Sequence, residues 1–533
     1  MSQKNRDGQW LPLQSACFCD TPKNEIKRGI IVRHYIKKGT FKLLTLLLLV
    51  FCLLFSQITV ANAAGDSEQT IDADYFQKVI DMILERYNGE ITAEQLMQGA
   101  LDGMFDTMDP YTTFYTPEEA EAFLGDVGGT FSGIGIQMEL SGEYILVAKV
   151  FSGSPAEKAG VLQGDRIAEV DGRNMVGVSL DEAASLIMGE VGTNVKLGLI
   201  RNGMSRIVEV DITRAVITLN PVTYSIIGGI GYIRLDTFSS TAGAYMALAL
   251  EQMDKEKVTK IILDLRGNPG GEVSQAIAIA RRFVPEGIIT TLDFKSEKYS
   301  DEIYMSSLEA PKYKLAVLVD GLSASASEIV AGAIQDTEAG TLIGTKTFGK
   351  AKVQGLIPIL TPEASAKYEK QLGIKLVDVL DLEREHGIIP QDSEIVGYTK
   401  MTIGYYYTPN DRMIDGTGIT PDIVIEDTKP VSEVVLAGIQ KLALTNKPGL
   451  NDGGTDVTNA EKILKVLGYD VGTPDNLLDE KTFAAIKQFQ KDVKLFPYGV
   501  IDFSTQKALN NALDGILLKY DKQYAKAVEV LNQ

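Results

Sequence analysis

The stretch Asp320-Gly-Leu-Ser-Ala-Ser-Ala-Ser-Glu-Ile329 sets small residues between an apolar strand, 315–319, and a helix that starts near Ser325. A serine at such a helix start meets backbone N–H donors and the positive end of the helix dipole. The alanines beside it leave room for a peptide backbone. Alone the run is a weak signal, since Ser and Ala runs at helix starts are usually caps. Working outward, residues 222–360 alternate strands (229–236, 260–264, 315–319, 341–344) with helices (242–255, 273–283, 325–335). That alternation predicts an α/β layer fold with a substantially parallel sheet.

The composition narrows the chemistry available to that serine. Of 533 residues only two are histidine, His34 and His386, and His34 lies in a basic tail. A Ser–His–Asp triad or a multi-His metal site would have to be built around His386 alone. The three cysteines, Cys17, Cys19 and Cys52, all precede residue 53, so the rest of the chain has neither disulfides nor cysteine chemistry. No cofactor or metal is expected.

A base other than histidine is therefore needed, and lysine is the alternative used by Ser–Lys enzymes. Thr345-Lys-Thr-Phe-Gly-Lys350-Ala-Lys-Val-Gln354 follows the next strand and sets Lys350 among small and apolar neighbours. Desolvation there would lower its pKa from about 10.4 toward the ~7–8 useful for a base. Lys346 and Lys352 read as solvated. Leu263-Asp-Leu-Arg-Gly-Asn-Pro-Gly-Gly271 ends a strand in a glycine turn that opens onto a helix. Such a turn can offer an N–H to a developing oxyanion.

Residues 121–213 have a different texture, with short β-rich runs, glycine turns and one helix near 180–188. Phe131-Ser-Gly-Ile-Gly-Ile-Gln137, Ser154-Pro-Ala-Glu-Lys-Ala-Gly160 and Gly164-Asp-Arg-Ile-Ala-Glu-Val-Asp-Gly172 together resemble the PDZ family. The resemblance implies that Gly133, Ile134, Gly135 and Ile136 form a backbone nest for a terminal carboxylate, beside an edge that accepts a peptide strand. Residues 450–515 resemble the short peptidoglycan-binding repeat, through Leu467-Gly-Tyr469, Asp479, Thr482-Phe-Ala-Ala-Ile-Lys-Gln-Phe-Gln490 and Gly499-Val-Ile-Asp502.

The glycine turn, the serine run and Lys350 with Gln354 four residues on resemble the carboxy-terminal processing protease (S41) family. The likeness spans about residues 70–430 and includes Tyr405-Tyr-Tyr-Thr-Pro409 and Gly418-Ile-Thr-Pro-Asp422. With the wall-binding repeat and the N-terminal segment, the chain is most similar to CtpB-like members. The resemblance implies a multi-domain α/β protein. Its core would be a crotonase/ClpP-like protease fold with an inserted β-rich PDZ domain and a small helical C-terminal domain. It implies Ser325 as nucleophile, Lys350 as base and Gln354 as the residue that orients the lysine. Gly270 or Gly271, with Ala326, would supply the oxyanion N–H groups. Between Leu360 and Met401 the family has a short turn; here about 35 polar residues intervene, His386 among them, and they read as a surface lid or docking segment.

The N-terminus is an address. Residues 1–42 carry nine Lys/Arg and three Asp/Glu, a net +6, which leaves −25 on the rest. Residues 41–60 hold no charge after Lys42 and precede Ala61-Asn-Ala-Ala64, which fits either a cleaved export signal or a membrane anchor. Both readings export the acidic body, whose charge disfavours nucleic acid. The expected domains are a basic cytoplasmic tail (1–40), a signal or transmembrane segment (41–63), an N-terminal helical part (66–120) and a PDZ domain (121–213). The protease core (214–440, insertion 361–400), a wall-binding unit (450–515) and a C-terminal helix (516–533) follow.

The expected function is an exported, wall-associated endopeptidase for proteins with free, apolar C-termini. Its other expected partners are peptidoglycan, the membrane through the N-terminal segment, and a second copy through the terminal helices. The alternatives are a non-catalytic wall-anchored PDZ scaffold and a crotonase-like acyl-CoA enzyme; the latter fits poorly with export and a PDZ.

Overall fold

Continuous apolar runs such as Ile261-Ile-Leu263 and Leu315-Ala-Val-Leu-Val319 are the mark of strands covered on both faces. A computed structural model describes residues 72–533, apart from 152, 202–205, 297, 299, 376, 428 and 437. The basic tail and the apolar segment 41–63 lie outside the described residues. Among the described residues no helix is long and apolar enough to cross a membrane.

The chain divides into two units between Leu96 and Met97. In the first, helix α1 (Ala73–Arg86) starts where the Asp72 carboxylate accepts the Tyr75 N–H at 2.8 Å, an N-cap. Helix α2 (Ala93–Asp106) runs across the division, and strand β1 (Thr113–Tyr115) and helix α3 (Pro117–Gly128) belong to the second unit.

Residues 130–218 form the β-rich insert. Its elements are β2 (Thr130–Gly133), β3 (Ile136–Ser141), β4 (Tyr144–Val150), the short α4 (Pro155–Lys158), β5 (Arg166–Val170), β6 (Arg173–Asn174), α5 (Leu180–Ile187), β7 (Asn194–Ile200), β8 (Ile207–Thr213) and β9 (Ala215–Thr218). The insert's antiparallel sheet runs β3-β4-β5-β7-β8, so β3 is an edge strand. Entry and exit strands β2 and β9 pair with each other, closing the insert on itself.

The core comprises β10 (Val222–Ile227), β11 (Ile230–Leu235), α6 (Ala242–Lys255), β12 (Lys260–Asp264), α7 (Val273–Ala280), β13 (Gly287–Phe294), β14 (Glu302–Ser306), β15 (Lys314–Val319), α8 (Ala326–Asp336), β16 (Thr341–Gly344) and β17 (Lys352–Leu360). Then come α9 (Pro362–Leu372), α10 (Val379–His386), β18 (Ile395–Tyr407) and β19 (Ile423–Val424). The main sheet has the order β10-β11-β12-β15-β16-β19 and is parallel from β11 onward. Alternate residues face opposite layers. Ile261, Leu263, Leu315, Val317 and Val319 pack with α6, α7 and α8. Ile262, Ala316, Leu318 and Ile343 point the other way.

What they meet is the C-terminal region: α11 (Thr455–Val466), α12 (Glu480–Asp492), α13 (Phe503–Tyr520) and α14 (Lys522–Asn532). Their apolar residues and the sheet's second face form one cluster. The expected boundary at residue 515 falls inside α13. The insert also touches this region, where the Asn476 side-chain amide donates to Glu139 of β3.

A second, antiparallel sheet joins β1, β18, β13 and β14, with β17 against β18. Its long β17–β18 hairpin carries the polar excursion at its tip. Residues 361–400 are a pair of helices, α9 and α10, with a small core of Ala364, Tyr368 and Leu382, followed by the first part of β18.

Candidate active site

Strand β15 ends at Val319 and the chain turns sharply into α8. Three serines lie in that turn, and their surroundings differ. Ser323 donates to the Leu265 carbonyl at 2.8 Å and Ser327 to the Asn268 carbonyl at 3.0 Å; both are fully buried. Ser325 alone of the three lines a pocket of about 350 Å³. Its backbone sits at φ 54°, ψ −115°, a left-handed φ that costs a non-glycine residue about 1–3 kcal/mol.

The strain is held by Glu328 on the first turn of α8. Its buried carboxyl accepts the N–H groups of Ser325 (2.9 Å), Gly349 (2.8 Å) and Lys350 (2.8 Å), and the Thr347 hydroxyl (2.6 Å). Burial pushes the acid's pKa up, against these four donors. One side chain thus ties the serine turn to the loop that carries Lys350. Tyr406 makes a second tie: its buried hydroxyl lies within hydrogen-bonding distance of the carbonyl oxygens of Ser325 (3.0 Å) and Lys350.

Lys350 lines the same pocket. Burial holds its ammonium below the usual lysine range, helped by the nearby charges of Lys400 and Lys352 and opposed by Asp109 and Asp415. Its Nζ rests 4.5 Å from the centroid of the Tyr111 ring. Among the described residues no hydrogen bond joins it to Ser325. Gln354 is also on the pocket wall, with its amide 3.4 Å from both the Lys352 carbonyl and the Thr402 hydroxyl. Those contacts are at the long limit of hydrogen bonding.

The glycine turn lies against the serine. A Cβ on Gly270 would fall 2.9 Å from that of Ser325 and 3.0 Å from the Ala326 nitrogen. The Gly270 N–H is engaged by the Asn268 side chain at 2.9 Å. The N–H groups of Gly271 and Ala326 have no hydrogen-bond partner among the described residues. Of the three N–H groups, these two are unengaged among the described residues.

In the insert, Gly133, Ile134, Gly135 and Ile136 line a second, apolar pocket of about 100 Å³ between the edge strand β3 and helix α5. Gly135 takes φ 82°, and a Cβ there would lie 2.3 Å from the Ser154 Cβ. Among the described residues no group of His, Cys, Asp and Glu could hold a metal ion.

Residue pattern alone did not single out Glu328, Tyr111, Tyr406 or Lys400. The Ser325-x-x-Glu328 spacing is a capping-box signature and was the available signal for Glu328. Tyr406 and Lys400 reach the pocket, and Tyr111 reaches Lys350, only through tertiary pairing.

A chain with this α/β core, a serine turn beside a desolvated lysine and an inserted peptide-binding fold is, by class, a serine-type peptidase with a PDZ domain. The model of peptidase family S41 matches residues 229–425, and PDZ domain matches 132–212. A peptidoglycan binding domain matches 453–509, and the activating protease CtpB N-terminal domain matches 55–119. The carboxy-terminal processing protease CtpA of Bacillus subtilis is 32% identical over 88% of this chain and 92% of its own. CtpB of the same organism is 30% identical over 85% and 87%. A solved photosystem II D1 C-terminal processing protease is 26% identical over 66% of this chain and 86% of its own, with a TM-score of 0.36. The chain belongs to the carboxy-terminal processing protease family.

Proposed function

We propose that this protein is an exported, wall-associated endopeptidase that captures free, apolar protein C-termini on its PDZ domain and cleaves with a Ser325–Lys350 dyad. The observation that carries it is the strained Ser325 and the desolvated Lys350 on one pocket, fastened through Glu328.

In this reading Lys350 swings its neutral amine from the Tyr111 ring to Ser325 and takes the hydroxyl proton as Oγ attacks the scissile carbonyl. Gln354, held only by long contacts, re-aims to steer that amine. The oxyanion takes the N–H groups of Gly271 and Ala326, Gly270 shaping the turn. The leaving amine receives its proton from Lys350, and a water activated by the same amine then hydrolyses the acyl ester. The peptide's end sits in the nest of Gly133–Ile136 while its chain extends the β3 edge. The match of residues 453–509 supports a peptidoglycan partner, and the acidic body behind an apolar N-terminal segment supports export.

The test is cleavage of an unstructured protein with an apolar C-terminus across pH 6 to 10. Only the neutral lysine can accept the proton, so kcat/KM should rise with pH and level off at a pKa below the ordinary lysine value. Ser325→Ala and Lys350→Ala should each reduce kcat at least ~10³-fold with unchanged melting temperature. Full activity in either variant would reject the dyad.

A further inference from the structure

The pocket that contains Ser325 has three lysines on its wall: Lys350, Lys352 and Lys400. Two have an evident occupation. Lys350 belongs to the proposed dyad, and Lys352 forms an ion pair with Asp109 at 3.5 Å. Lys400 is different. Among the described residues it has no Asp or Glu within ion-pairing distance. Its Nζ donates to the Tyr115 hydroxyl at 3.2 Å and lies 5.0 and 5.5 Å from the ring centroids of Phe123 and Tyr115, all of them neutral groups. The acidic residue on the pocket wall, Glu272, takes the Ser274 hydroxyl and pairs with none of the three lysines.

The ammonium is also held in place. Lys400 lies in the middle of β18, paired with Thr113 of β1 on one side and Leu356 of β17 on the other. The Tyr115 hydroxyl and the two ring faces hold the ammonium itself, so less side-chain entropy remains to be lost on binding. A half-buried cation without a counter-charge is electrostatically costly, and an incoming carboxylate would relieve that cost. We infer that Lys400 is a specificity residue that receives a carboxylate of the substrate inside the catalytic pocket. The inference rests on the peptidase reading of that pocket. The carboxylate has two sources, the free α-carboxylate of the substrate chain and an Asp or Glu side chain near the scissile bond.

The experiment uses one neutral peptide sequence in paired forms: free carboxylate against C-terminal amide, and Glu against Gln beside the cleaved bond. Values of kcat/KM are compared for the unmodified enzyme, Lys400→Met and Lys400→Arg. The PDZ nest also distinguishes acid from amide, but it does so equally in all three proteins and cancels in the comparison. The unmodified enzyme should prefer one carboxylate form by about tenfold or more, as expected for a charge-assisted hydrogen bond. The preference should fall toward unity in Lys400→Met and persist in Lys400→Arg, and the pair in which it falls identifies the source. If Lys400→Met does not fold, Lys400→Gln gives the same comparison. The absence of any preference in the unmodified enzyme, or a preference that persists undiminished in the neutral variant, overturns the inference. Hydrolysis that survives Ser325→Ala would instead overturn the Ser325–Lys350 reading of that pocket.

Discussion

Four donors converge on the carboxylate of Glu328, and the consequence of replacing it follows from donor counting. A glutamine there keeps the shape but turns one acceptor oxygen into an NH₂ group facing N–H and O–H donors. Glu328→Gln should cost about 2–4 kcal/mol and release Ser325 from its left-handed φ. Thermal unfolding would show the lower midpoint, and kcat would fall even where the protein stays folded. Tyr111 acts on the neighbouring residue through its ring. A ring face stabilises an ammonium by about 0.5–2 kcal/mol, so at Lys350 it opposes the lowering caused by burial. Tyr111→Leu keeps an apolar cover and removes that face. The acid limb of the kcat/KM profile should then move to lower pH by about 0.4 to 1.5 units, and activity at neutral pH should rise. A shift to higher pH would mean that the ring's main service is to exclude water.

At the scale of elements, the turn from β2 into β3 needs a residue without a side chain. Gly135 has both a left-handed φ and no space for a Cβ against Ser154. Gly135→Ala should abolish binding of a C-terminal peptide to the PDZ domain, read by fluorescence anisotropy, while short peptides that bypass that domain are still cleaved. The sequence was legible where an element's own residues specify it. Strands 260–264 and 341–344 and helix 242–255 begin and end where their apolar runs do. The sheet of β1, β13, β14, β17 and β18 was not. Its strands are largely half-buried with a mixed pattern, and they pair across separations as long as Thr113 to Lys400. The excursion at 361–400 read as a polar lid because its helices bury only Ala364, Tyr368, Val379 and Leu382. The serine turn, the Lys350 loop and the glycine turn were legible because each sits just after a buried strand, but the choice of Ser325 over Ser323 and Ser327 came from the family resemblance alone. Lys400 was not, because its place in the pocket depends on that second sheet, and neither was Tyr111, whose ring meets Lys350 across a long sequence separation.

At the scale of the molecule, the C-terminal region is part of the protease rather than a module on a tether. Period-2 alternation in β12 and β15 leaves Ile262, Ala316 and Leu318 on a face that only α11–α14 and their flanks cover. The same region reaches the glycine turn. Arg266, buried within Asp264-Leu-Arg266, donates to Asp264 at 2.6 Å, to Asp521 at 2.9 Å and to Gln523 at 3.0 Å. Burial would lower the guanidinium's pKa, but the two carboxylates reverse that and hold it charged. Breaking a buried pair by removing one partner costs about 3–5 kcal/mol. Asp521→Ala should therefore unfold at a clearly lower temperature. Because Arg266 lies one residue before the turn that ends in Gly271, it should also lose kcat on short peptides. Deleting residues 450–533 exposes the sheet's second face as well as stripping Arg266 of Asp521 and Gln523. The truncated chain should be insoluble or lack a cooperative transition, and should not cleave even a short soluble peptide for which wall binding is irrelevant. A truncated protein that melts cooperatively and keeps its kcat would show that the sheet's second face and Arg266 do without the C-terminal region, leaving wall attachment as that region's whole contribution.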